Sequence, residues 1–184
     1  MARKQSITKE MIQQGALALA TQEGLEAVTA RKVAAKTGCS TQPIFRAYEN
    51  MEDLQKDVIR LAGEFFADYY ENSPRVNPIP FVDLGLTYIR FAKEYEQLFT
   101  ILFASHHKKE ISTYEFINGG DKGYVLKELR RIDGVSAQKA GAIFSNMWTF
   151  INGLACMALN GDYDLTDEEA IENMTEIYEA LKKA

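Results

Sequence analysis

Thr41, Gln42 and Pro43 stand together at the start of a short segment, with Thr29, Arg31 and Lys36 upstream and Arg46 just downstream. A glutamine amide offers a donor beside an acceptor, the pattern that adenine presents in the major groove. Threonine can use its hydroxyl or its methyl there, and proline offers only shape or apolar contact to a thymine methyl. Thr29, Arg31, Lys36, Thr41 and Arg46 have the groups that phosphate oxygens accept from. Other chemistries find less support. His106 and His107 are adjacent, so on a helix they point about 100° apart and cannot chelate as an i, i+4 pair can. Cys39 and Cys156 match no metal-ligand spacing. The stretch GGDKG at 119–123 lacks the spacing of a phosphate loop and a preceding strand. No Ser-His-Asp or Cys-His set stands out. The expectation is a protein that is not an enzyme and that holds no metal and no cofactor.

Base reading requires that those residues open a helix, and that a second helix brace it. Thr29 can cap a helix through Lys36, with Val33 and Ala34 inward. Gly38 ends it, and Ser40 can cap the next helix, so that Thr41, Gln42 and Pro43 fall in its first turn. Proline is tolerated there because those amides have no intrahelical partner. Ile44 and Tyr48 face back toward Val33, Ala34 and Leu54. An earlier helix from Met11 carries Ile12, Ala16, Leu19 and Ala20 on one face and stops at Gly24. Three helices, the last two joined by Gly-Cys-Ser, describe a helix-turn-helix. Its last helix presents its N-terminal residues to the major groove.

The rest of the chain repeats its apolar residues at three and four, and nothing reads as a strand. Asn50 and Asp53 cap a long helix to about Glu71, whose Leu54 and Val58 pack on the first core while Phe65, Phe66 and Tyr69 reach a second. The segment 72–80 holds three of the four prolines. Helical segments follow at Phe81–Lys93 and Glu94–His106. A loop at Ile117–Tyr124 precedes helices at Tyr124–Ile132 and Ser136–Asn160, and the last helix, capped by Thr166, runs to about Lys183. The predicted fold is all-α with about nine helices. It divides at residue 50 into a helix-turn-helix domain (1–50) and a larger helical domain (51–184), with the long helix 50–71 connecting them.

Composition narrows the setting. The 184 residues are 46% apolar, enough for a core. The net charge of −5 divides unevenly. Residues 1–50 carry seven Lys/Arg against four Asp/Glu, or +3, and the remainder carries 14 against 22, or −8. A polyanion would meet the front of the chain. No uninterrupted apolar stretch is long enough for a bilayer and the N-terminus has no secretory pattern. Two distant cysteines suit a reducing, cytoplasmic location.

The stretch TARKVAAKTGCSTQPIFRAYENMEDL, Thr29–Leu54, resembles the N-terminal domain of TetR-family transcriptional repressors. Thr29, Arg31, Val33–Ala34, Gly38–Cys39–Ser40, Ile44–Phe45, Tyr48 and Glu52–Leu54 occupy the steps of that pattern. Met147–Met157, MWTFINGLACM, is similar to the family's penultimate helix, with Asn152 where histidine is frequent. The resemblance implies a ligand-responsive repressor that binds a palindromic double-stranded DNA operator as a homodimer. It implies DNA contacts from Thr29, Arg31, Lys36, Ser40, Thr41, Gln42, Pro43, Phe45, Arg46 and Tyr48. Phe45, Ala47 and Met51 replace three residues that commonly touch phosphate. A helical ligand-binding or scaffolding protein with weakened DNA affinity is the alternative.

The last two long helices are expected to form the dimer seam, through Ile151, Leu154, Ala155 and Ala158 on one and Ile171, Met174 and Tyr178 on the other. The middle helices are rich in aromatic residues, and pockets between helices combine apolar walls with a few polar groups. Tyr88, Phe91, Phe103, His106, Phe144, Trp148 and Asn152 are the candidates for holding a small-molecule effector.

Overall fold

The computed structural model describes residues 7–104, 117, 135–162 and 165–184, and among these every regular element is helical. In chain order they are α1 (Lys9–Glu23), α2 (Ala30–Thr37), α3 (Gln42–Ala47), α4 (Met51–Asn72), α5 (Pro80–Glu94), α6 (Glu96–Phe99), α7 (Ala137–Leu159) and α8 (Asp167–Lys183). A 3-10 turn at Leu25–Ala27 follows α1, and a π turn at Thr100–Ala104 follows α6. The fold is all-α, as expected. The expected helix at Tyr124–Ile132 and the candidate ligand residue His106 lie outside the described residues.

Local chemistry sets the early boundaries. The Thr29 hydroxyl accepts from the Lys32 amide at the start of α2. Gly38 ends α2 with φ +67°, a left-handed conformation that costs glycine little, and the Cys39 amide then donates back to the Ala34 carbonyl at 2.9 Å. Asn50 opens α4, its side-chain oxygen accepting from the Asp53 amide at 2.9 Å.

The chain forms two compact units, Met1–Asp68 with Tyr95–Ser105 and Tyr69–Glu94 with His106–Ala184. The first unit is built around Ile12, Ala16, Val33, Ile44, Leu54 and Val58, all nearly or fully buried. At Gly15, α1 lies so close to α2 that a methyl group would meet Thr37 Cγ2 at 2.5 Å. Further along, Phe65 meets Tyr95 edge-on with ring centres 4.9 Å apart, and Phe66 meets Phe103 at 5.2 Å. Phe65 and Phe66 thus belong to the first core, not to the second as expected. Tyr69, four residues after Phe65 on α4, is the residue that packs in the second unit, against Phe91.

In the second unit α5 is buried on every side from Phe81 to Ile89. Such a helix needs neighbours all round. At Gly85 a methyl group would meet Met174 Sδ at 2.5 Å and Ile151 Cδ1 at 2.8 Å, so α7 and α8 both press against its backbone. The carboxylate of Asp83 accepts from the amides of Val76 and Asn77, each at 3.0 Å, and holds the proline-rich turn onto α5. Arg90 grips Asp167 through Nε at 3.0 Å and Nη2 at 2.5 Å. α8 opens on a reciprocal capping box of Thr166 and Glu169.

One expectation changes here. Ile151, Leu154, Ala155, Met174 and Tyr178 are buried inside the single chain, so they form its own core and are not free for a dimer seam. Ala158 and Ile171 stay partly exposed. By length and composition the 23-residue α7 is long and apolar enough to cross a bilayer, a test that the core helix of a soluble protein also passes. Gln138–Lys139, Ser145–Asn146, Thr149 and Asn152 interrupt its apolar residues, so no unbroken run announces it.

Candidate nucleic-acid interface

α3 is six residues long and buries one face only. Ile44 is fully inside. Gln42, Phe45, Arg46 and Glu49 are exposed at the spacing i, i+3, i+4, i+7 of a single outer face, with Glu49 just past the helix end. Helix initiation differs in one detail from the reading of the sequence. Thr41, not Ser40, is the residue before the first turn, and its side chain makes no capping bond. Ser40 lies exposed one residue further out, while Thr41 and Pro43 are half-buried. Pro43 still falls inside the first turn, where no helical amide bond is lost.

Thr29, Arg31 and Lys36 are exposed on α2 or at its start. Among the described residues Lys36 Nζ meets the neutral Gln22 Oε1, at 3.2 Å, whereas Lys32 is matched by Glu23 at 2.6 Å. Arg31 and Arg46 pair with no carboxylate among the described residues. The α2–α3 surface therefore carries Arg31, Lys36 and Arg46 as positive charges without an acidic partner among the described residues.

Tyr48 is not on that surface. Its ring is buried and its hydroxyl donates to Asp57 Oδ2 at 2.8 Å, so it braces α3 from behind and does not face a nucleic acid. Asp57 on α4 also accepts from Gln13 Nε2 at 2.8 Å and lies 3.4 Å from Lys9 Nζ and 3.6 Å from Arg60 Nε. Lys9 sits over the Tyr48 ring, 4.7 Å from its centre. One carboxylate thereby ties together α1, the end of α3 and α4. Burial pushes the Asp57 carboxyl up, but the bonds from Tyr48, Gln13 and Lys9 outweigh it and hold the group below the usual carboxylate range. Burial, then the bond to Asp57, pushes the Tyr48 phenol well above its ordinary value. The reading of the sequence missed Asp57. Its available signal was a carboxylate next to the core residue Val58, in register with Leu54, on an otherwise inward stripe.

Asp57→Ala is expected to lower stability by about 2 kcal/mol, because the buried Tyr48 hydroxyl loses its acceptor. Denaturant unfolding measures this. The depressed carboxyl contributes fully above about pH 4, and its share is lost as pH falls below that. The raised phenol contributes below about pH 10, and its share is lost as pH rises beyond it. In Asp57→Ala the acid limb of the stability profile should flatten.

The expected effector residues separate. Tyr88, Phe91 and Phe144 are fully buried in the second unit. The Tyr88 hydroxyl donates to Asn152 Oδ1 at 2.8 Å, and its ring meets Trp148 edge-on at 4.8 Å, so these three come together. Phe144 packs against Phe81 at 5.4 Å. Phe103 belongs to the first unit, against Phe66 and Phe99. The sequence could not assign it, because Phe103 follows Phe99 at ordinary helical spacing.

No protein-family model and no curated protein sequence matches the chain. Solved structures do. A TetR-like transcriptional regulator from Rhodococcus sp. RHA1 superposes with a TM-score of 0.62 at 12% identity, over 96% of each chain. A TetR-family member from Streptomyces coelicolor A3 gives 0.63 at 16%, over 92% of this chain and 96% of that one. A second TetR regulator from Rhodococcus sp. RHA1 gives 0.53 at 15%, over 94% and 93%. The chain therefore has a TetR-like fold.

Proposed function

We propose that the chain is a sequence-specific DNA-binding transcriptional regulator, a repressor that a small molecule releases from its operator. The observation that carries this is the outer surface of α2 and α3, which exposes Gln42 and Phe45 together with three cations that have no acidic partner among the described residues. The solved proteins of the same fold are transcriptional regulators, which favours the same reading. Residues 1–50 read DNA in this proposal, and residues 51–184 sense the effector and dimerise. The protein works in the cytoplasm. Tyr88, Trp148 and Asn152 contribute one polar pair and an aromatic wall to the effector site.

A second copy of the chain is part of the proposal, since one short helix spans only a few base pairs. The outer face of α7 suits it. Thr149 and Asn146 bond back to carbonyls of their own helix, at 2.9 and 2.8 Å, which leaves that face less polar than its composition. Met157 is 43% exposed there. A methyl group at Gly153 would meet nothing among the described residues, so packing within the chain does not call for glycine. Close approach of a second α7 would, and it offsets the roughly 1 kcal/mol that glycine costs inside a helix.

The test is DNA binding as a function of salt. Arg31, Lys36 and Arg46 on each of two protomers give a slope of log K against log salt of about −5. Phe45, Ala47 and Met51 favour a second reading, a ligand-binding protein with weakened DNA affinity, because they donate nothing to phosphate. A slope near zero, or no detectable binding even in low salt, would select it.

A further inference from the structure

Phe45 is 54% exposed, the most exposed large apolar side chain among the described residues. It sits in the middle of a face otherwise made of Gln42, Arg46 and Glu49, while the buried Ile44 beside it supplies the packing of α3. A ring left in water loses roughly 1.5–3 kcal/mol of available burial energy, so a partner that covers it gains affinity. Phenylalanine cannot hydrogen-bond to phosphate. What the major groove offers such a ring is the C5 methyl group of thymine, the apolar group on the base edges.

We propose that Phe45 reads thymine methyl groups, and that each half-site holds a thymine within one or two base pairs of the adenine bonded by Gln42. This rests on the DNA-reading proposal and adds the base chemistry to it. Gln42 and Phe45 are i, i+3 neighbours, whose Cβ atoms lie about 5–6 Å apart on a helix. Successive base pairs rise about 3.4 Å, so two such side chains address positions one or two steps apart. Arg31, Lys36 and Arg46 supply the charge complementarity that holds this face against a polyanion.

Selection of preferred sites from random DNA by the full chain gives the starting duplex. If no sequence preference emerges, the DNA-reading proposal itself fails. With a selected site in hand, each thymine is replaced singly by deoxyuridine, which removes only the methyl. Wild-type affinity should fall about fourfold at one or two positions per half-site. Phe45→Ala, at an exposed position, should fold normally by its melting profile and bind the thymine and uracil duplexes equally. Phe45→Leu should keep part of the preference. Specific binding that ignores uracil at every position would overturn the assignment, as would an unchanged thymine preference in Phe45→Ala.

Discussion

Ala155→Asp is expected to destabilise the second unit by at least about 3 kcal/mol, whereas Met157→Glu should leave folding intact and convert dimers to monomers. The two residues lie two positions apart on α7 and face opposite environments. Ala155 has no exposed surface and lies in the chain's own core, close to Ile151 and Leu154 along the helix. A carboxylate there is taken out of water into an apolar core, which lowers folding stability whatever the oligomeric state. Met157 points the other way, 43% exposed. A carboxylate there stays solvated in a monomer and is desolvated only when a second chain covers it. Thermal melts and sedimentation separate the cases. DNA affinity of Met157→Glu should fall with its dimer content. A fully dimeric Met157→Glu would move the proposed seam off this face.

That contrast also marks where the sequence stops being informative. Turns and caps are legible because the determinants are local. Thr29, Gly38 and Asn50 each satisfy or terminate backbone groups within a few residues, and all three do so as expected. The first core is legible for a related reason, since α1, α2 and the start of α4 have one apolar stripe each. α7 is apolar on two sides, and periodicity cannot say which side the chain keeps for itself. Ile151, Leu154 and Ala155 therefore look equally suited to a seam and to a core, and packing against α5 decides for the core. Tyr48 is a similar case. Its place next to Arg46 and Phe45 suits a DNA contact, but its acceptor, Asp57, lies nine residues away on another helix. Long-range partners of this kind leave almost no trace in spacing.

The most discriminating result for the reading surface is expected from Gln42→Ala and Arg46→Ala compared on the same set of duplexes. Both side chains are exposed on the outer face of α3, and neither takes part in the core, so both variants should fold as wild type. Their chemistry differs. The Gln42 amide has matched partners only on an adenine edge, and losing a bidentate contact costs about 1–3 kcal/mol. Two half-sites double that, so affinity for the preferred site should fall roughly thirtyfold or more, while affinity for unrelated DNA stays nearly constant. The Arg46 guanidinium attracts phosphate at any sequence. Arg46→Ala should therefore weaken all duplexes alike and reduce the salt slope by about one per protomer. A full binding profile by competition on variant sites measures both effects. If Gln42→Ala leaves the profile unchanged, α3 does not enter the groove in the register proposed. If Arg46→Ala alters preference more than overall affinity, the two residues exchange roles, and the helix is rotated about its axis relative to the DNA.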